Sequence, residues 1–468
     1  MRVLPNIAPK AEQLKIISRV RQGVEVIRGA AGSGKTTTAI LRLKTLIGYF
    51  LNRRKQTGSK APVRTLVLTY NRTLRGYISA LIEKQAAQDD QVIVEVDTFA
   101  GWACDRLGKP GLISDADRVQ KINELGAGLL PSGFLVAEVD YLRGRYLPDD
   151  REKYLASRRE GRGASPRVDK ALRERLLKEV VTPYEKWLKG TKTTDWCGLE
   201  IAMATATSDV RYDIVVADEV QDFSANQIRA IFPWLAKEHA VTFVLDGAQR
   251  IYARGFTWAE VGVNVTSANS FQLTVNYRNT QQIAAFALPF VKDLVPDDAD
   301  ATLPDFTQCT RTGPKPVVLR GKFSGQMAYA LDFIKKHVDL KKESVAFLHP
   351  KGGGWFKAVR QGLDGAGIGY EEFTRAKDRP DGDVNVGLCT IHSAKGLEFD
   401  HVFMLGLNAD ILPHGKEADD NDWLQLRRLL AMGIGRAKET VHLGYKPEPN
   451  DPPWVAVMDK STFVSKSV

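Results

Sequence analysis

The sequence predicts an α/β protein: two parallel sheets flanked by helices, with a mainly helical insertion in the first. Three observations carry this expectation. Short apolar stretches rich in β-branched residues recur along the chain, separated by segments with helical apolar spacing, as in strands joined by helical crossovers. One of them, VEVIR (24–28), runs at once into the glycine-rich GAAGSGKTT and then into the helical TAILRLKTLIGYF. The length of 468 residues exceeds what one compact core accommodates, so several domains are expected.

Hydrophobic residues make up 43% of the chain and charged residues 26%, the proportions of a globular protein. No apolar run reaches the ~18 residues a spanning helix needs, so no membrane partner is expected. The start, MRVLPNIAPKAEQLK, lacks the apolar core of a secretion signal. Cys104, Cys197, Cys309 and Cys389 show no paired spacing that would indicate disulfides or zinc. These features point to the cytoplasm. The formal net charge of +10 favours a polyanionic partner, although solubility alone would also account for it.

Taken in order, the first element is the strand at 24–28 with its following loop. Gly29, Gly34, Lys35 and Thr36 fit G-x-x-x-x-G-K-[ST] in the strand–loop–helix setting that motif requires. Gly29, Gly32 and Gly34 let backbone N–H groups converge on phosphate oxygens at a helix N-terminus. Lys35 would reach the terminal phosphates, Thr37 follows in the first helical turn, and the Thr36 hydroxyl would ligate Mg²⁺. The next informative strand is YDIVVADEVQDF (212–223). A parallel strand delivers its C-terminal residues to the edge where the phosphate loop lies, so Asp218 would reach the Mg²⁺. Glu219 beside it would polarise a water for attack on the γ-phosphate. A third strand, AVTFVLDGAQRIY (240–252), ends with Asp246 and Gln249. The Gln249 amide would either sense the γ-phosphate or hold a loop.

By this point the residues resemble the UvrD/Rep/PcrA-like helicases of superfamily 1, through motifs in the family's order over nearly all the chain. Gln13 in APKAEQLKII is similar to the glutamine that reads adenine, and ADEVQDF to the D-E-x-Q-D box. LDGAQRIY resembles G-D-x-x-Q-x-I-Y, which implies γ-phosphate sensing by Gln249, and LTVNYRNT resembles N-Y-R-x-T. There the resemblance implies stacking of Tyr277 on adenine and an Arg278 aimed at the phosphates. TIHSAKGLEF (390–399) resembles motif V, and RRLLAMGIGRAKE (427–439) motif VI, with Arg436 as an arginine finger. Departures occur at Leu245, Gln425, Leu426, Ala431 and Gly435. The family's 2B insertion is expected to be missing, since only about a dozen residues separate LDGAGIGY (363–370) from the strand before motif V.

The resemblance implies two RecA-like P-loop domains. The expected division is 1–104 and 208–272 for the first, 105–207 for a helical, 1B-like insertion and 273–468 for the second. The insertion carries Arg143, Arg145, Arg158, Arg159, Arg162 and Arg167, read as a solvated helical face or a nucleic-acid backbone contact. The second domain should build strands from PKPVVLRGKF, ESVAFLHPK, VNVGLCTIHSAKG and DHVFMLGL.

Function follows from these parts as an expectation. ATP with Mg²⁺ would lie between the two domains, and Arg278 and Arg436 would act on it across the cleft. Single-stranded DNA, including its junctions with duplex, would run across both domains. By resemblance its contacts include Thr69 and Asn71 in TLVLTYNRTL, Thr98 and Phe99 in VDTFAGWA, and His392. Tyr252, Phe256 and Trp258 in RIYARGFTW are candidates for stacking on bases. Glu398 would face the nucleotide from the motif V turn. The expected activity is that of an ATP-dependent translocase or helicase, and the resemblance implies movement 3′ to 5′. The alternative is an ATP- and DNA-sensing subunit that gates a partner nuclease or effector, for example in defence against phage.

Overall fold

The computed structural model describes residues 9–29, 32–69, 75, 79, 91–157, 167–245, 256–292, 309–373, 384–409, 421–448 and 450–468. The chain builds its first sheet from β1 (Gly23–Gly29), β2 (Val63–Thr69), β3 (Val92–Thr98), β4 (Tyr212–Ala217), β5 (Leu235–Leu245) and β6 (Ser270–Leu273). Their spatial order is β3-β2-β4-β5-β1-β6, and every pairing is parallel. Every residue of β4 is buried, as expected of a central strand covered on both faces. The helix Lys35–Thr57 covers one face with Ala39, Ile40, Leu43, Leu46, Ile47 and Phe50. The opposite face packs Phe99, Trp102, Leu199, Met203, Phe223 and Trp234.

Between β3 and β4 the described residues are mainly helical, and the longer pieces are Asp115–Leu125, Ser132–Arg145, Thr182–Gly190 and Trp196–Thr205. These enclose a separate apolar core that includes Ile122, Leu135, Val139, Leu142, Tyr154, Val180 and Tyr184. The structure corrects the reading of the basic run. Arg143 is 2% exposed and ion-paired with Asp195 and Glu185, while Arg145 is 5% exposed and paired with Glu260. A buried guanidinium needs carboxylates to offset its lost hydration, so neither arginine is available to a phosphate backbone. Arg167 is exposed, and Arg158, Arg159 and Arg162 lie outside the described residues. The insertion docks on the short helix Ala225–Arg229, where Asn226 Nδ2 donates to the Arg143 carbonyl at 2.8 Å and Arg229 to that of Arg145 at 2.5 Å.

After the small parallel pair β7 (Asn276–Thr280) and β8 (Cys309–Arg311), a second parallel sheet begins. It comprises β9 (Val317–Arg320), β10 (Val345–His349), β11 (Glu371–Glu372), β12 (Val386–Thr390), β13 (Phe399–Met404), β14 (Ala437–Tyr445) and β15 (Val464–Ser467). Their order is β11-β12-β10-β13-β14-β9-β15. The four segments read as strands from the sequence are β9, β10, β12 and β13. Two parallel sheets flanked by helices make this the α/β, RecA-like class of fold. No helix of the described residues is long and apolar enough to cross a membrane.

Candidate nucleotide site between the two sheets

β1 ends at Gly29, and the loop after it turns through Gly32 and Gly34 at φ of +77° and +76°. A Cβ on Gly29 would sit 2.6 Å from Ser33 Oγ and 2.8 Å from the Leu273 carbonyl. On Gly32 it would sit 2.3 Å from Asn276 Oδ1. Glycine is therefore needed for both backbone conformation and space. Gly34 caps the N-terminus of Lys35–Thr57, so Lys35, Thr36 and Thr37 form the first turn of a long helix whose free N–H groups suit an anion. Gln13 braces the loop from outside: Lys10 N donates to its Oε1 at 2.9 Å, and its Nε2 donates to the Ser33 carbonyl at 3.1 Å.

β4 delivers Asp218 and Glu219 to the same edge. Thr36 Oγ1 donates to Asp218 Oδ2 at 2.7 Å. Burial and the neighbouring Glu219 charge push the Asp218 carboxyl up to about 7. A hydroxyl touching a buried carboxylate, with a second carboxylate adjacent, is a donor set that fits a hard divalent cation such as Mg²⁺. Glu219 adopts a left-handed backbone at φ +56°, unusual for a residue with a Cβ. Burial alone would raise its carboxyl, but the charges of Lys395, Lys35 and Arg436 bring it below the usual range. Gln221 Nε2 donates to Glu219 Oε2, which orients that carboxylate.

The second sheet supplies the facing wall. In the turn between β12 and β13, Lys395 is 1% exposed and ion-paired with Asp222, with its Nζ 3.6 Å from Glu219. Glu398 takes Arg278 Nε at 2.9 Å on one oxygen and Lys438 Nζ at 2.8 Å on the other. Burial opposes its ionisation, yet Arg278 and Lys438 hold the carboxyl down at about 2. Arg436 is 2% exposed, with Nε on the Met432 carbonyl at 3.2 Å and Nη1 on that of Leu397 at 3.3 Å. Tyr277 N donates to the Gly32 carbonyl at 3.0 Å, and Lys10 Nζ lies 5.7 Å from the ring centroid.

Among the described residues, Thr36, Asp218 and Glu219 thus lie near Lys395 and Arg436 from the second half of the chain. Gln249 lies outside the described residues. The sequence reading gave no role to Lys395 or Lys438, although Lys395 stands in the quoted motif V turn. A lysine amid polar residues between two apolar strands was the available signal.

The DNA candidates fare differently. Phe256 and Trp258 are each 7% exposed, edge-to-face at 5.7 Å, and Trp258 packs on Phe243 at 5.3 Å. The expectation of stacking platforms there is corrected: both rings fill the first sheet's core. Thr69 is fully buried at the end of β2. Thr98 Oγ1 caps its helix by accepting from Gly101 N at 3.0 Å, and Phe99 packs against Trp102 and Phe223. These three side chains also face inward and do not form an exposed DNA surface. His392 is partly exposed, and burial together with the Lys395 charge lowers its basicity. Asn71 and Tyr252 lie outside the described residues.

A glycine-rich phosphate loop on one parallel sheet, faced by Arg436 beside a second and by Arg278 on the small β7–β8 pair, defines a P-loop protein with two RecA-like domains. Within that class the chain is related to the UvrD-like helicases, and residues 366–447 match the UvrD-like helicase C-terminal domain family. Over 60 residues the chain is 42% identical to the ATP-dependent DNA helicase Rep of Buchnera aphidicola, covering 13% of this chain and 9% of that protein. Over 69 residues it is 39% identical to the ATP-dependent DNA helicase PcrA of Staphylococcus aureus, covering 14% of this chain and 10% of the relative. These matches span about a tenth of each relative's length. A Mycoplasma pneumoniae protein named "Probable DNA helicase" is 25% identical over 467 residues, 90% of this chain and 80% of that one. Among solved structures, the C-terminal domain of a possible DNA helicase from Lactobacillus plantarum shares 21% identity with a TM-score of 0.30. That alignment covers 41% of this chain and 99% of the other.

Proposed function

We propose that this chain is an ATP-dependent translocase or helicase on single-stranded DNA, moving 3′ to 5′ and hydrolysing ATP between its two RecA-like domains. The first domain in this reading comprises 1–104 and 208–272, the helical insertion 105–207 and the second domain 273–468. The observation that carries this reading is the convergence on Glu219 of charges from both sheets, Lys35 from one and Lys395 and Arg436 from the other.

In this reading the amides of the glycine-rich loop and Lys35 hold the phosphates. Thr36 and Asp218 would hold Mg²⁺, which when bound neutralises phosphate charge. Glu219, kept ionised, accepts the proton of the attacking water. Arg436 leaves the Leu397 and Met432 carbonyls to meet charge developing on the transferred phosphoryl group. Because that arginine and Glu219 stand on different sheets, hydrolysis is tied to closure of the cleft, the two-state element a motor requires. The partly exposed His392 stands three residues before Lys395, so one turn would join track to fuel.

The test is the ATP hydrolysis rate titrated with single-stranded DNA, duplex DNA and RNA of equal length. Strong stimulation by single-stranded DNA is expected. Stimulation by RNA alone, or by none of the three, would reject the proposed track. A duplex-unwinding assay on the same preparation then separates unwinding from translocation.

A further inference from the structure

Asn279 stands at the unspecified position of N-Y-R-x-T, and the chemistry above gives it no part. It is 1% exposed. Its Nδ2 donates to the Gly435 carbonyl at 3.2 Å and to the Ala437 carbonyl at 2.6 Å, the two carbonyls that bracket Arg436. Its Oδ1 accepts from Asn276 Nδ2 at 2.9 Å, and its backbone N donates to Asn276 Oδ1 at 3.0 Å. The Asn276 Oδ1 that accepts this bond is also the atom a Cβ on Gly32 would strike. Tyr277 N, between the two asparagines, holds the Gly32 carbonyl. The phosphate loop is therefore hydrogen-bonded to β7 through Tyr277 N, and from β7 the Asn276 and Asn279 side chains continue by hydrogen bonds to the backbone on either side of Arg436.

We infer that Asn279 is a positioning residue that fixes the base of the Arg436 side chain relative to the phosphate loop. A carboxamide offers two N–H groups in a fixed plane, so one side chain can hold two carbonyls at once. The two carbonyls flank Arg436, that of Gly435 in the turn after the helix Asn421–Ile434 and that of Ala437 at the first residue of β14. With that turn pinned, the arginine has one path of travel, from the Leu397 and Met432 carbonyls toward Glu219. The inference rests on the reading of Arg436 as an arginine finger.

The test is a double-mutant cycle on DNA-stimulated ATP hydrolysis, using Asn279→Asp and Arg436→Ala. Aspartate keeps shape and Oδ1 but sets an oxygen against the two carbonyls. A misplaced finger should lower kcat about ten- to a hundred-fold and leave KM for ATP within about two-fold. In the Arg436→Ala background the same substitution should change kcat less than about two-fold, because its effect runs through the arginine. Losses that multiply, or a raised KM with kcat intact, overturn the inference, since a merely structural asparagine would act in both backgrounds. If the Asn279→Asp chain fails to fold by thermal melting, Asn279→Ser carries the same cycle and the same criteria. Unchanged kcat in a folded Asn279 variant also overturns it. Absence of hydrolysis in the wild-type chain, or full hydrolysis by Arg436→Ala, instead overturns the finger reading and the inference together.

Discussion

Glu398 is held by two cations, and the balance of those charges sets a measurable pH response. Its carboxyl is depressed from an ordinary 4.5 to about 2 by Arg278 and Lys438, against the opposing effect of burial. A depressed acid adds stability that is complete above its unfolded value and is lost as pH falls toward the folded one. The wild-type stability advantage over Glu398→Gln should therefore be constant above about pH 6 and shrink between about pH 4.5 and pH 2. Denaturant melts across that range check it, and a gap that widens on acidification would refute the assignment. In the same variant Arg278 loses its charged partner, so DNA-stimulated hydrolysis should fall more than nucleotide or DNA binding. At this scale the phosphate loop and the paired acids were legible in the sequence because each lies within a few residues of the strand that presents it. Lys395, Lys438 and Asn279 were not. The partners of Lys395 and Asn279 stand 173 and 156 to 158 residues away, and only the folded chain supplies that proximity.

Strands and helices were largely readable from periodicity, but which arginines face water was not. The helix Ser132–Arg145 ends in two arginines of a basic run that reads as a solvated face, yet both are buried by tertiary partners. Replacing Arg143 with Ala leaves Asp195, 3% exposed, without its principal cation. Stability should drop by about 3–5 kcal/mol, the cost of stranding a buried charge. Single-stranded DNA affinity of the folded Arg143→Ala chain should hardly change. An unaltered melt with weakened DNA binding would restore the phosphate-contact reading. The aromatics after β5 teach the same lesson. Phe256 and Trp258 sit among arginines and glycine in sequence, but the core beneath β5 has room for both rings, and burial of large aromatic surface prevails.

Across the whole molecule, the turn between β12 and β13 joins the two sheets: Lys395 reaches Asp222, and the Leu397 carbonyl holds Arg436. Lys395→Ala removes the cation ion-paired with the buried Asp222, so it should cost hydrolysis at least about ten-fold while nucleotide still binds the first sheet's loop. Adding Asp222→Ala should recover part of that loss, because the carboxylate that lost its lysine goes with it. Strictly additive effects would show that the pair does not link the sheets. The order of motifs along the chain foretold that the two halves would meet. It did not foretell that a lysine would hold the first sheet's carboxylates across the join.

In the proposed mechanism nucleotide is hydrolysed where the two sheets face each other, with Glu219 handling the water and DNA setting the rate. The most direct measurement is ATP turnover by Glu219→Gln beside the wild type at saturating single-stranded DNA, with ATP affinity measured on both. Turnover should fall by at least about a hundred-fold with affinity unchanged, as for loss of a general base. Sustained DNA-stimulated turnover in the variant would contradict the account.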